Sequence, residues 1–129
     1  MRVFEVLTKN DIHRFTTFVF TLPTQSMTLM FVNPLSGSCL AEYFRNRGFH
    51  ALIIYDDLSK HAISYRQIAL FMRKPAGREA FPSDVFYIHA RLLERSCCLN
   101  FCHGSGTLTC LPIIETLNND LSAYVATNV

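Results

Sequence analysis

Long apolar runs are missing from this chain. None of its 129 residues belongs to a stretch near the roughly 18 consecutive apolar positions that a bilayer-crossing helix needs. Residues 15–22 are apolar, but short and rich in threonine. Charge of one sign is missing too: 12 Lys and Arg stand against 10 Asp and Glu, a formal +2 with no long basic run. That balance argues against nucleic acid as the main partner. The amino-terminal residues show no signal-peptide pattern, since Arg2 is followed by Glu5, Lys9 and Asp11 rather than by an apolar run. No internal repeat or low-complexity linker divides the chain, which reads as one domain's worth of sequence. With 50% hydrophobic and 17% charged residues, it is also no disordered chain.

Several kinds of site lack a necessary part. The five cysteines, Cys39, Cys97, Cys98, Cys102 and Cys110, are odd in number and come without secretory features. They read as reduced thiols of an intracellular compartment. Cys97, Cys98, Cys102 and His103 crowd possible metal ligands, but a structural zinc site needs a second well-spaced pair. A small zinc protein is therefore the weakest reading, and small apolar residues at a helix end explain the cysteines better. His61 and His89 can be drawn into a triad with a Ser and an Asp, yet no G-x-S-x-G elbow is present. Nor is there a G-x-x-x-x-G-K-[ST] phosphate loop; Gly104-Ser105-Gly106 lacks the lysine and the following helix.

What is present centres on Ala51-Leu52-Ile53-Ile54-Tyr55-Asp56-Asp57. Five apolar residues running into two carboxylates fit a strand covered on both faces, as in the middle of a parallel sheet. Ligands of such sheets sit beyond the carboxyl ends of the strands, where Asp56 falls. Nucleotide triphosphatases place their Walker-B carboxylate in this way, to act on magnesium. The plainer alternative is that Asp56 or Asp57 only caps the helix that follows.

Around this strand the pattern predicts a weak helix over 1–14, a strand over 15–22 ended by Pro23, and an ambiguous apolar segment over 26–32 closed by Asn33-Pro34. A helix over 37–46 stops at Gly48. From Leu58, the spacing of Leu58, Ala62, Tyr65, Ala69 and Met72 predicts a helix facing the core. Lys60, His61, Ser64 and Gln67 lie off that stripe, toward water or a neighbouring subunit. A loop over 73–82 precedes a helix capped by Ser83, with Val85, Ile88 and Leu92 inward. Residues 107–116 read as strand-like, with Pro112 barring a regular central ladder there. Asn118-Asn119-Asp120 reads as a turn, and a further strand begins at 123–125. Two strand–helix–strand–helix units of this kind predict an α/β domain with a mainly parallel sheet.

Ala51 to Lys60 resembles, letter for letter, the Walker-B segment of the alpha subunits of F-type ATP synthases. Tyr65-Arg66-Gln67, Gly77-Arg78-Glu79-Ala80-Phe81-Pro82 and Asp84-Val85-Phe86-Tyr87 follow in that family's order. So do Arg91-Leu92-Leu93-Glu94-Arg95, Leu111-Pro112, Ile114-Glu115-Thr116, Ser122-Ala123-Tyr124 and Thr127-Asn128-Val129. The resemblance is strong over 36–129 and weak over 1–35, where Asn33-Pro34-Leu35-Ser36-Gly37 is similar to the family's proline-glycine turn. Departures fall in the loops: Ala76 and Ala126 stand for prolines, Ser83 for a glycine, and Ser96-Cys97-Cys98 and Leu117-Asn118-Asn119 replace other family stretches.

The resemblance implies a partial RecA-like P-loop NTPase domain, α/β with a mainly parallel sheet, cut from the middle of the nucleotide-binding domain without its Walker-A segment. It implies a non-catalytic, regulatory subunit that binds Mg-ATP, alternates with beta subunits around a central gamma shaft, and supports proton-driven ATP synthesis. Asp56 would act on Mg2+ through water, with no catalytic residue in this chain. Arg78, Glu79 and Asp84 would make subunit contacts, in a 73–84 loop near the shaft. Contact with a membrane would come only through the whole complex. Residues 40–61, with His61 after Lys60, are nearer to mitochondrial than plastid versions, implying the matrix side of the inner membrane, with the thylakoid membrane as the alternative. The alternative function is a truncated structural relic that binds no nucleotide. A parallel sheet without its neighbouring strands would leave unpaired edges and uncovered apolar faces, so the isolated chain is expected to aggregate or stay partly unfolded.

Overall fold

The computed structural model describes residues 2–22, 24–75, 77, 80–116 and 124–128. Helices α1 (Arg2–Lys9), α2 (Met27–Asn46), α3 (Leu58–Phe71), α4 (Val85–Leu93) and α5 (Tyr124–Asn128) alternate with two strands. Strand β1 is His50–Tyr55, between α2 and α3, and β2 is Thr107–Pro112, after α4. The strands pair in parallel, from His50 opposite Thr107 to Tyr55 opposite Pro112. The α/β class and the parallel pairing therefore hold. Among the described residues a single strand–helix–helix–strand unit forms, where two were expected.

Residues 16–22 are not a strand: they pair with nothing regular, and Phe15, Phe20 and Leu22 stand exposed. β-branched and aromatic content marks a segment able to join a sheet, but the ladder needs a partner. Residue 123 and the turn expected at 118–120 lie outside the described residues, and Tyr124–Asn128 is helical rather than extended. The helix expected over 37–46 begins ten residues earlier. Ser26 caps it, its Oγ accepting from the Leu29 N–H at 3.4 Å. It then runs through Pro34, a proline that removes one helix hydrogen bond instead of ending the helix. At α4 the capping position is Asp84, with no side-chain cap bond, rather than Ser83.

The core has two adjoining parts. Ala62, Tyr65, Phe81 and Val85 form one, with Phe31, Ile88 and Val125 against it. Tyr55, Leu58 and Leu92 form the other, with Leu35, Ile53, Leu93 and Cys110 alongside. The α3 stripe is buried as expected from Leu58 to Ala69, while Met72 is exposed. His61 and Ser64, expected to face water or another subunit, are buried instead. Each is satisfied by hydrogen bonds: Ser64 Oγ donates to the Lys60 carbonyl at 2.9 Å, and His61 binds His89 and the Phe31 carbonyl. Polarity alone does not keep a side chain out when its bonds are made inside.

Among the described residues β1 is covered on one face only, contrary to the double coverage its apolar run predicts. Ala51, Ile53 and Tyr55 turn toward the helices, whereas Leu52 and Ile54 remain 60% and 56% exposed. Leu111, opposite Ile54, is exposed on the same side. An open apolar sheet face of this kind favours association. Of the two outcomes expected for the isolated chain, its buried core favours association over partial unfolding: sedimentation velocity is expected to show a folded chain that self-associates above micromolar concentrations, reduced by Ile54→Thr with Leu111→Thr. A monomer at all concentrations would contradict this.

Candidate functional site

β1 delivers the chain into the Asp56-Asp57 turn, and the residues following β2 close the turn from the side. The Ile113 N–H donates to the Tyr55 carbonyl at 2.9 Å, and the Leu58 N–H donates to the Ile113 carbonyl at 3.0 Å. Ser59 Oγ accepts from the Glu115 N–H at 3.1 Å and donates to the Glu115 carbonyl at 3.3 Å. The turn thus sits at the shared carboxyl edge of the parallel pair, and its Asp56–Asp57 peptide is cis. Behind it, Tyr55 is buried and its Oη lies 2.9 Å from Ser38 Oγ. Ser38 spends its one proton on the Pro34 carbonyl at 2.8 Å, so the phenol must be the donor. Burial pushes the Tyr55 pKa up, which keeps that proton in place.

The two neighbouring carboxylates part company here. Asp57 is the cap of α3: Oδ1 accepts from the Lys60 N–H at 2.6 Å, and Oδ2 takes the Lys60 ammonium at 2.9 Å. The hydrogen bond to Asp57 is the first cause of a raised Lys60 pKa, although the exposed ammonium contributes little to stability. The same ammonium lies 3.8 Å from Glu115. Asp56 is exposed, and its carboxylate makes no hydrogen bond to any described residue. One carboxylate is committed to the helix, and the other stands at the strand end facing solvent.

A family model for the ATP synthase alpha/beta family, nucleotide-binding domain, matches residues 1–129. The chain belongs to the ATP synthase alpha/beta family. Similar proteins are ATP synthase subunits alpha, which bears out the alpha-subunit resemblance. That of Orientia tsutsugamushi strain Ikeda is 55% identical over 89% of this chain and 22% of its own length. That of Neorickettsia sennetsu is 51% identical over 99% of this chain and 25% of its own. The mitochondrial subunit alpha of Neurospora crassa is 47% identical over 97% of this chain and 23% of its own. The chain thus spans about a quarter of the length of the curated relatives it matches. They come from bacteria and from a mitochondrion, so family membership does not fix a compartment. No helix among the described residues is long and apolar enough to cross a membrane.

Within this member of the family the other expected site residues scatter. Arg78 and Glu79 lie outside the described residues. Asp84 stands before α4, where Oδ2 accepts from Tyr65 Oη at 2.5 Å and from Lys74 Nζ at 3.2 Å. The Tyr65 hydrogen bond is the first cause of its lowered pKa. No hydrogen bond or ion pair joins Asp84 to Asp56 among the described residues. Arg95 binds Glu42 of its own chain at 2.6 and 2.8 Å. Arg91 donates to Tyr87 Oη at 3.0 Å.

All five cysteines are free thiols, and Cys97, Cys98 and Cys102 are exposed rather than packed at a helix end. Among the described residues, no three His, Cys, Asp or Glu side chains are grouped so as to hold a metal ion, which leaves the zinc reading without a site. A groove of ≈ 610 Å³ between the start of α2 and the end of α3, and a hollow of ≈ 320 Å³ by Asn46, Leu99 and His103, are both lined without Asp56. The ties from Ser59, Lys60 and Glu115 around the turn were missed in the sequence. Only Lys60 carried a signal, three residues after its cap.

Proposed function

We propose that this chain is a central part of the nucleotide-binding domain of an ATP synthase alpha subunit, RecA-like in architecture, with Asp56 as its Walker-B carboxylate. The observation that carries this reading is the division of labour between the two aspartates. Asp57 satisfies the helix start, and Asp56 is left exposed at the carboxyl edge of a parallel pair, where α/β sheets receive ligands. A lone exposed carboxylate suits a hard cation that keeps most of its waters, as magnesium does. The donor set fits only the metal side of a nucleotide site, because the sequence carries no phosphate loop.

When bound with ATP, Mg2+ would neutralise phosphate charge. Asp56 would accept hydrogen bonds from its water shell, and the bonds from Ile113 and Ser59 would hold the turn in register. In this reading the subunit is regulatory and non-catalytic. It alternates with beta subunits around the gamma shaft, supports proton-driven ATP synthesis and works on the matrix side of the mitochondrial inner membrane; one similar subunit alpha is named as mitochondrial. Arg78, Glu79 and Asp84 would contribute subunit contacts from the 73–84 loop.

Because residues 1–129 carry no phosphate loop of their own, a second reading is a structural relic that binds no nucleotide alone. Calorimetric titration of the chain with Mg-ATP separates the two. Binding that needs Mg2+ and is abolished by Asp56→Ala is expected for a residual site, whereas a folded chain that takes up no nucleotide supports the relic.

A further inference from the structure

Two buried histidines outside the nucleotide reading join three helices. His61 Nδ1 and His89 Nε2 lie 3.0 Å apart, and His61 Nε2 lies 3.1 Å from the Phe31 carbonyl. The rings are 3% and 2% exposed, and Phe31 stacks on His61 with centroids 5.1 Å apart and planes 6° apart. The carbonyl can only accept, so His61 must carry its proton on Nε2. Its bare Nδ1 then accepts from the His89 Nε2–H. The chain of donors is fixed, and it runs from α4 through α3 to α2.

We propose that the His61–His89 pair is an acid-operated release, tying α2, α3 and α4 together while neutral and letting them part as protons arrive. One added proton can sit on His89 Nδ1 without breaking the chain. A second must land on His61 Nδ1, where two N–H groups would face each other across 3.0 Å. Among the described residues no carboxylate binds either ring. On α3 the nearby ionisable groups are Lys60, held by Asp57, Arg66, over the Phe81 ring, and Tyr65. On α4 they are Asp84, held by Tyr65 and Lys74, and Arg91, held by Tyr87. On α2, Glu42 and Arg45 are turned to Arg95, and only the Phe31 ring and carbonyl meet the pair.

Burial lowers the pKa of both rings, that of His89 to about 4 with His61's charge adding to the effect. The unfolded chain therefore binds protons, from about pH 6.5 downward, that the folded chain refuses. Stability rises with pH across that window and is lost as pH falls through it.

The test is urea unfolding of the full 129-residue chain at submicromolar concentration, followed by far-UV circular dichroism between about pH 6.5 and 4.5. In the wild type the unfolding constant is expected to rise more than tenfold per pH unit, since two groups take up protons. His61→Gln keeps both bonds, because its amide can accept from His89 and donate to Phe31. Its rise is expected to drop to about tenfold per unit, and the same holds for His89→Gln. Nitrogen-15 spectra at neutral pH should show both rings protonated on Nε2. Equal pH dependence in the wild type and both variants would overturn the proposal, as would the absence of a folded baseline at neutral pH or an Nδ1-protonated His61.

Discussion

Gly106→Ala is expected to abolish the folded chain or to destabilise it by about 3 kcal/mol, the upper end of the usual cost of overpacking. The position needs no left-handed backbone; the difficulty is space. A Cβ there would come within 1.9 Å of the Arg45 carbonyl oxygen, 2.8 Å of its carbon and 3.1 Å of the Phe49 oxygen. All three are backbone atoms at the end of α2 and the approach to β1, so no side chain can rotate away. The Arg45 carbonyl is also committed, accepting the Gly48 N–H at 3.0 Å. Gly106 itself accepts from Leu99 at 2.9 Å just before β2 begins. The seam that aligns β2 with β1 is therefore built on backbone-to-backbone contact. Gly48 and Gly104, at φ 84° and 92°, face each other across it. Loss of the far-UV helical signal at neutral pH, or a urea midpoint moved far down, is the expected reading. An unchanged midpoint would contradict the packing described.

Leu92→Ala is expected to cost about 2–5 kcal/mol, the range for truncating a buried leucine in a core that relaxes only in part. Leu92 is 1% exposed and packs with Tyr55 and Leu58, beside Leu35, Ile53 and Cys110. It is the α4 residue that meets the end of β1, so its loss loosens the element under the Asp56 turn. A total stability of about 5–15 kcal/mol is usual for a domain, so this one truncation removes a large share. The check is a urea midpoint compared with that of Leu70→Ala. Leu70 is on α3 but 56% exposed, and its truncation should cost far less. Equal effects from the two leucines would show that the buried cluster is misplaced.

The parts of this fold legible in the sequence were those fixed by local chemistry. Tyr55 ends a strand, one of the two aspartates after it caps the next helix, and Gly48 takes the left-handed conformation that stops α2. The Leu58-to-Ala69 stripe is buried because helical spacing alone brings it to one face. What was misread depended on distant partners. Residues 16–22 have strand composition but no strand beside them. Asn33-Pro34 has the pattern of a stop, yet Pro34 sits inside α2. His61 lies off the α3 stripe, and its two burying partners, His89 and Phe31, are far away in sequence. At the candidate site two adjacent aspartates at a strand end were legible, with Asp56 the one proposed for magnesium. The structure assigns the capping role to Asp57, and pattern alone left that choice open.

The claim that Asp56 serves magnesium is tested most directly where the rest of the nucleotide site is supplied. The matched segment of the Neurospora crassa subunit alpha would be replaced by this chain, and bound ATP counted after gel filtration with Mg2+ or with EDTA. Retention that requires Mg2+, falls at least tenfold in Asp56→Asn and survives in Asp57→Asn is the expected result, about 1.4 kcal/mol or more of lost binding. Magnesium-dependent retention undiminished in Asp56→Asn, or lost only in Asp57→Asn, would contradict it.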